Sequence, residues 1–175
     1  IRKLLKFSSF YRRALPDFTE CAGVKRRQEI LHDSEDLVVL SDFAHHPTAI
    51  AGALESLRAR WPGREIIACF EPRSNTAVTN VFEDRFADAL ALADVAILGA
   101  VHRAEKIPPD QRINTGNMIR RIEGQGKQGH TFLTNLDLES FLLEREISQP
   151  SLVVFFSNGS FDGVIGRFAD AVKKR

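Results

Sequence analysis

From about residue 30 onward, short apolar runs alternate with amphipathic stretches, and few folds accommodate that order. Leu37-Val38-Val39-Leu40, Glu65-Ile66-Ile67-Ala68-Cys69-Phe70, Val95-Ala96-Ile97-Leu98 and Leu152-Val153-Val154-Phe155-Phe156 read as buried strands. Between them apolar residues fall at helical spacing: Ile50, Ala53, Leu54, Leu57 and Trp61, then Val81, Phe82, Phe86, Ala89, Leu90 and Ala93. Pro47 suits a first helical turn, where its missing N–H costs nothing, and Pro62-Gly63 stops that helix. Further helices are expected over Thr115 to Glu123, Leu136 to Ile147 and Phe161 to Lys174, with a short strand at His130-Thr131-Phe132-Leu133. Glu29-Ile30-Leu31-His32 lies one turn, Asp33-Ser34-Glu35-Asp36, before Leu37, which predicts an antiparallel pair at the start. The later strands return through right-handed crossovers. The expectation is therefore an α/β, Rossmann-like doubly wound, mostly parallel sheet with helices on both faces. No GxGxxG follows any strand and no GxxxxGK[ST] occurs, so the phosphate-binding fingerprints of such folds are missing.

Hydrophobic residues make up 43% and charged residues 27%, enough apolar material for one core. No run of about 18 apolar residues exists to span a membrane. The basic start, Ile1 to Lys6, lacks the apolar core of a signal peptide, and a chain opening on isoleucine reads as a piece of a longer protein. Cys21 and Cys69 show no metal-binding or CxxC spacing, which predicts a reducing, cytoplasmic setting. Residues 1–30 carry eight Lys/Arg against three Asp/Glu. This basic arm reads as a solvated helix followed by an anion-contacting loop, because no recognition-helix pattern continues into the body. Neither nucleic acid nor a membrane is expected as a partner.

In open α/β sheets, ligands gather at the carboxyl ends of the strands. Four polar loops fall there: Ser41 to Pro47, Glu71 to Thr76, Ala100 to Arg103 and Ser157 to Gly163. Asp42 beside His45 and His46 fits acid–base chemistry, or equally a helix start with Asp42 near the N-cap; the spacing matches no standard zinc pattern, and no metal site is expected. Arg73 can grip an anion bidentately or simply pair with Glu71. Ser157, Asn158 and Ser160 can cradle an anion or cap the following helix. The Gly-x-Ser-x-Gly of a hydrolase elbow is absent around Ser160.

Four segments, in order, resemble the Mur ligase family of ATP-dependent cell-wall ligases. They are Gly23-Val24-Lys25-Arg26-Arg27-Gln28-Glu29, Asp42-Phe43-Ala44-His45-His46-Pro47-Thr48, Phe70-Glu71-Pro72-Arg73-Ser74-Asn75-Thr76 and Ser157-Asn158-Gly159. The third is similar to the branch that joins L-alanyl-γ-D-glutamyl-meso-diaminopimelate to UDP-N-acetylmuramate during peptidoglycan recycling. Ser160-Phe161-Asp162 departs from the glycine-rich continuation of that branch.

The resemblance implies that residues 1–29 are the tail of a central ATPase domain and its linker, and that 30–175 form the C-terminal domain, packing on that central domain. It implies that Arg27 reaches the nucleotide phosphates, and that Asp42 and His45 line the ATP side of the cleft and serve catalysis. It places Arg73, Ser74 and Asn75 against the substrate, with Ser160 near the incoming amine. The family's reaction uses ATP and Mg2+, held mainly by the central domain, to convert a carboxylate to an acyl phosphate that the amine attacks. The chain alone is accordingly expected not to ligate. The alternatives are the same domain of an L-alanine-adding ligase, whose third loop would read closer to Gln-Pro-His, and a Rossmann-like module without chemistry.

Overall fold

The computed structural model describes residues 26–174; the expected basic N-terminal arm, Cys21 and Gly23 to Lys25 lie outside the described residues. Six strands form one sheet: β1 (Glu29–Asp33), β2 (Leu37–Asp42), β3 (Glu65–Phe70), β4 (Val95–Leu98), β5 (Gln128–Thr131) and β6 (Ser151–Phe156), in the order β1-β2-β6-β3-β4-β5. The helices are α1 (Pro47–Arg60), α2 (Glu83–Leu90), α3 (Thr115–Glu123), α4 (Asn135–Glu144) and α5 (Val164–Val172). The β1–β2 pair is antiparallel, as the turn Asp33 to Asp36 predicted, and every other pairing is parallel. No helix among the described residues is long and apolar enough to cross a membrane.

Crossover handedness explains which helix covers which face. From β2 the chain runs through α1 to β3, then through α2 to β4 and α3 to β5, always in one direction across the sheet. Right-handed crossovers in one direction put all three helices on the same face. The return from β5 to β6 reverses direction, so α4 falls on the opposite face, where α5 joins it.

Strand side chains alternate between these two layers. Val38, Leu40, Ile66, Ala68, Phe70, Leu152, Val154 and Phe156 pack with α1, α2 and α3. Val39, Ile67, Cys69, Ile97, Val153 and Phe155 pack with α4 and α5. Burial on both faces accounts for the unbroken apolar runs of β2, β3, β4 and β6. It also pushes the Cys69 thiol far up, leaving it a protonated apolar filler.

Three boundaries depart from the apolar pattern. The short strand expected at His130 to Leu133 lies at Gln128–Thr131, because β4 offers only Val95 to Leu98 as partners. Leu133 is left 95% exposed. Val81, expected on a buried helical face, is 72% exposed in a single 3-10 turn, Asn80–Phe82. Asn80 donates from its backbone N–H to the Gln111 carbonyl and from Nδ2 to that of Asp110, both at 2.9 Å, which pins the chain before α2 can begin. The closing helix does not run unbroken from Phe161: Phe161, Asp162 and Gly163 all have positive φ, and α5 starts at Val164.

His130 on β5 packs against Phe141, the rings tilted by 46° with centroids 4.6 Å apart. Partial burial, then the Arg145 charge, hold its pKa below the usual 6.5. The unfolded chain therefore binds a proton that the folded domain resists. Stability should be full above pH 6.5 and should fall as the pH drops below it. Thermal midpoints across pH 7.5 to 5 check this: replacing His130 by Phe should flatten that part of the profile, and an unchanged slope would assign it elsewhere.

Candidate functional site

β6 lies between β2 and β3, and the register sets Asp42, Phe156 and Phe70 side by side. Three strands thus end level, and the residues just beyond them meet at the sheet's carboxyl edge, where ligands of open α/β sheets collect.

Glu71 is the anchor of this edge. It is only 2% exposed, and its backbone N–H continues the ladder onto the Phe156 carbonyl. The fully buried Ser157 hydroxyl donates to one carboxylate oxygen, while the other receives Arg73 Nη1 at 3.4 Å. Ser157 Oγ also accepts the Gly159 N–H at 2.8 Å, closing the turn after β6. A Cβ on Gly159 would overlap the Arg73 side chain, so glycine there lets the guanidinium stem lie against the turn. The expected pairing with Glu71 is present, and the Arg73 side chain also lines a cleft.

That cleft is open and encloses about 570 Å3. Arg73, Ser74 and Asn75 line it together with Val78, His102, Arg103, Lys106, Ile107 and Asn158. Ser74 Oγ accepts the Ala77 N–H at 3.2 Å and shapes the loop, which leaves Asn75 exposed at the rim. The β4 loop is tied down where the His102 N–H donates to the Pro72 carbonyl at 2.9 Å. Arg103 sits in the left-handed region, with φ 52° and ψ 40°, which costs a non-glycine residue about 1 kcal/mol or more. Asn158 Oδ1 is shielded from solvent and has no hydrogen-bond partner among the described residues.

Asp42 lies on the other side of the β6 turn and is 8% exposed. It is not the N-cap of α1; that position belongs to His46, with Pro47 following it. Instead its carboxylate accepts the N–H groups of Gln28 at 3.1 Å and Ala44 at 2.7 Å, and its carbonyl accepts that of Ser157 at 3.1 Å. Asp42 therefore joins the incoming chain, the His-His-Pro turn and the β6 turn. His45 is occupied locally, its Nδ1 2.9 Å from the Phe43 carbonyl. His46 packs edge-on to Phe82 at 5.4 Å.

Of the two arginines entering β1, Arg26 holds the fold. Its guanidinium donates to the carbonyls of Ser157 and Gly159 and lies 5.5 Å from the Phe43 ring. Arg27 is exposed, with no side-chain partner among the described residues. Ser160 is exposed and does not line the cleft; its carbonyl accepts the Gly163 N–H at 2.9 Å. The departure Ser160-Phe161-Asp162 has a local use, since Asn135 Nδ2 donates to Asp162 at 2.8 Å while Asn135 Oδ1 accepts the Ala100 N–H at 3.0 Å.

The sequence pointed to the loops at this edge but not to Glu71 as a buried anchor behind Arg73, nor to Arg26 as a brace of the β6 turn. Nor did it place Arg103 and Lys106 in one cleft with Arg73. Adjacency to Arg73 was the available signal for Glu71; nothing in linear spacing brings Lys106 back to the cleft.

The model of the Mur ligase, glutamate ligase domain, matches residues 26–159. A UDP-N-acetylmuramate–L-alanyl-γ-D-glutamyl-meso-2,6-diaminoheptandioate ligase of Haemophilus influenzae is 32% identical over 152 residues, 86% of this chain and 31% of that protein. A UDP-N-acetylmuramate–L-alanine ligase of Cytophaga hutchinsonii is 30% identical over 151 residues, 86% of this chain and 30% of that protein. Among solved structures, a murein peptide ligase of Psychrobacter arcticus superposes with a TM-score of 0.69 at 24% identity, covering 96% of this chain and 35% of that one. The chain thus spans less than a third of the length of these two curated relatives.

Proposed function

From the premise that the chain belongs to the Mur ligase family, we propose that it is the C-terminal domain of the ligase that adds a murein tripeptide to UDP-N-acetylmuramate, with the tripeptide held in the Arg73 cleft. The observation that carries this reading is the cleft itself. A guanidinium anchored from behind by a buried carboxylate offers its outward N–H groups to a ligand carboxylate without further ordering cost. Volumes of roughly 300–1,000 Å3 hold ligands of drug or peptide size, and this cleft falls in that range. L-Alanine, with one carboxylate and a methyl group, would leave most of it empty.

ATP supplies the phosphoryl group that activates the sugar's carboxylate as an acyl phosphate. Arg27, exposed and without a side-chain partner among the described residues, is suited to reach the nucleotide phosphates. Asp42 and His45 would face the same nucleotide across the interdomain cleft, and Ser160 would stand near the incoming amine. In this reading the central domain holds most of the Mg2+ ligands, with the nucleotide phosphates supplying the rest. Closure of this domain on its central partner would exclude water from the acyl phosphate, which hydrolysis would otherwise destroy. In this reading the full-length protein works in the cytoplasm, and the chain alone binds but does not ligate.

Calorimetric titration of L-alanyl-γ-D-glutamyl-meso-diaminopimelate into the 175-residue chain tests the proposal, with L-alanine as the control. Tripeptide-selective binding should weaken at least about tenfold on Arg73→Ala, the loss expected for a charge-assisted, partly buried contact. Preference for L-alanine would move the chain to the L-alanine-adding ligases, and equal heats for the two ligands would undo the tripeptide assignment.

A further inference from the structure

We infer that Arg103 and Lys106 form a second carboxylate subsite in the cleft that Arg73 lines, and that this subsite selects acceptors carrying several carboxylates. The inference rests on the tripeptide reading above and assigns residues within it. The cleft is lined by three full-time cations, Arg73, Arg103 and Lys106, and by no carboxylate. Only Arg73 has a carboxylate partner: neither Arg103 nor Lys106 has a side-chain hydrogen bond or ion pair among the described residues. Glu105, between them in sequence, does not line the cleft.

Two unpaired cations facing one concavity repel each other and favour a bound anion. A second observation concerns the backbone. Arg103 holds a left-handed conformation that glycine would adopt without strain, yet the position carries a long cationic side chain aimed at the cleft. Strain kept at a ligand-facing residue is explained when the side chain is used in binding. Asn158 lines the same cleft, and its shielded Oδ1 has no hydrogen-bond partner among the described residues.

In the tripeptide the carboxylates lie away from the alanine amine that reacts. One would sit on Arg73 and another on the Arg103–Lys106 side, leaving the amine directed out of the cleft. Binding energy from such remote groups orients the nucleophile. An amino acid with a single carboxylate, held on Arg73, would leave the Arg103–Lys106 pair uncompensated, so the subsite discriminates by charge count as well as size.

The test titrates L-alanyl-γ-D-glutamyl-meso-diaminopimelate, L-alanine and UDP-N-acetylmuramate into the 175-residue chain and its Arg103→Gly, Lys106→Gln and doubly substituted forms. Exposed ion pairs predict about a fivefold loss of tripeptide affinity for each substitution and roughly twentyfold for both. Binding should also weaken with salt in the parent and much less in the double variant. Arg103→Gly should leave the thermal midpoint equal or higher, since it removes the left-handed strain. A double variant that binds tripeptide like the parent, while Arg73→Ala does not, overturns the subsite and leaves the functional reading standing. A loss confined to UDP-N-acetylmuramate reassigns these cations to the sugar nucleotide and overturns it equally. A parent chain with no preference for tripeptide over L-alanine removes both readings together.

Discussion

Phe155→Ala should lower the unfolding free energy by about 3–5 kcal/mol, the usual cost of removing a fully buried aromatic ring. Phe155 is 0% exposed on β6, the central strand that pairs with both β2 and β3. Its ring meets Phe161 edge-on at 5.7 Å and Phe168 at 5.8 Å, so one side chain joins the sheet to the left-handed turn and to α5. Truncation removes the transfer term, opens a cavity under α5 and ends two aromatic pairs at once. For a domain of this size the thermal midpoint should fall by roughly 8–15 °C. Phe155→Leu keeps most of the volume and should cost less than half as much. Equal losses for the two variants would mean that ring geometry, rather than cavity volume, sets the cost.

Glu71→Ala should destabilise by about 2–3 kcal/mol and take Arg73 out of register with the cleft. The lower end of the range for buried pairs applies because the Arg73 side chain is 30% exposed and regains water when its partner is lost. The Ser157 hydroxyl, at 0% exposure, has no such recourse and keeps most of the penalty. Arg73→Ala should destabilise as well, since it strips the nearest cation from a buried carboxylate. The double variant should therefore cost less than the two single effects combined, and a thermodynamic cycle measures that coupling. Strict additivity would show that Arg73 and Glu71 share space without sharing energy.

The two effects differ in what they do to ligand binding. Phe155 lies on the α4–α5 side of the sheet, away from the cleft, so its loss should lower stability while any surviving folded fraction still binds. Glu71 lies directly behind Arg73, so its loss should weaken binding even where the domain remains folded.

The course of the chain could be read in advance because both faces of the sheet are covered. Strands buried on two sides need unbroken apolar runs, as in Leu152 to Phe156, and helices buried on one side need apolar residues at 3.6 spacing, as from Ile50 to Leu57. Those local demands placed β2, β3, β4 and β6, the antiparallel start and the loop bearing Arg73. Tertiary structure alone decided which residues share the edge. Strand β6, last in sequence, enters between β2 and β3, and only that insertion brings Ser157 onto Glu71 and Asn158 beside Arg73. The same holds for Arg26 bracing the turn at Gly159, 133 positions away, and for Lys106 returning to the cleft. Such contacts depend on pairing order and crossover hand, which no window of neighbouring residues contains. Local pattern determined the elements of this domain; the long-range order of its strands determined which side chains meet to make a site.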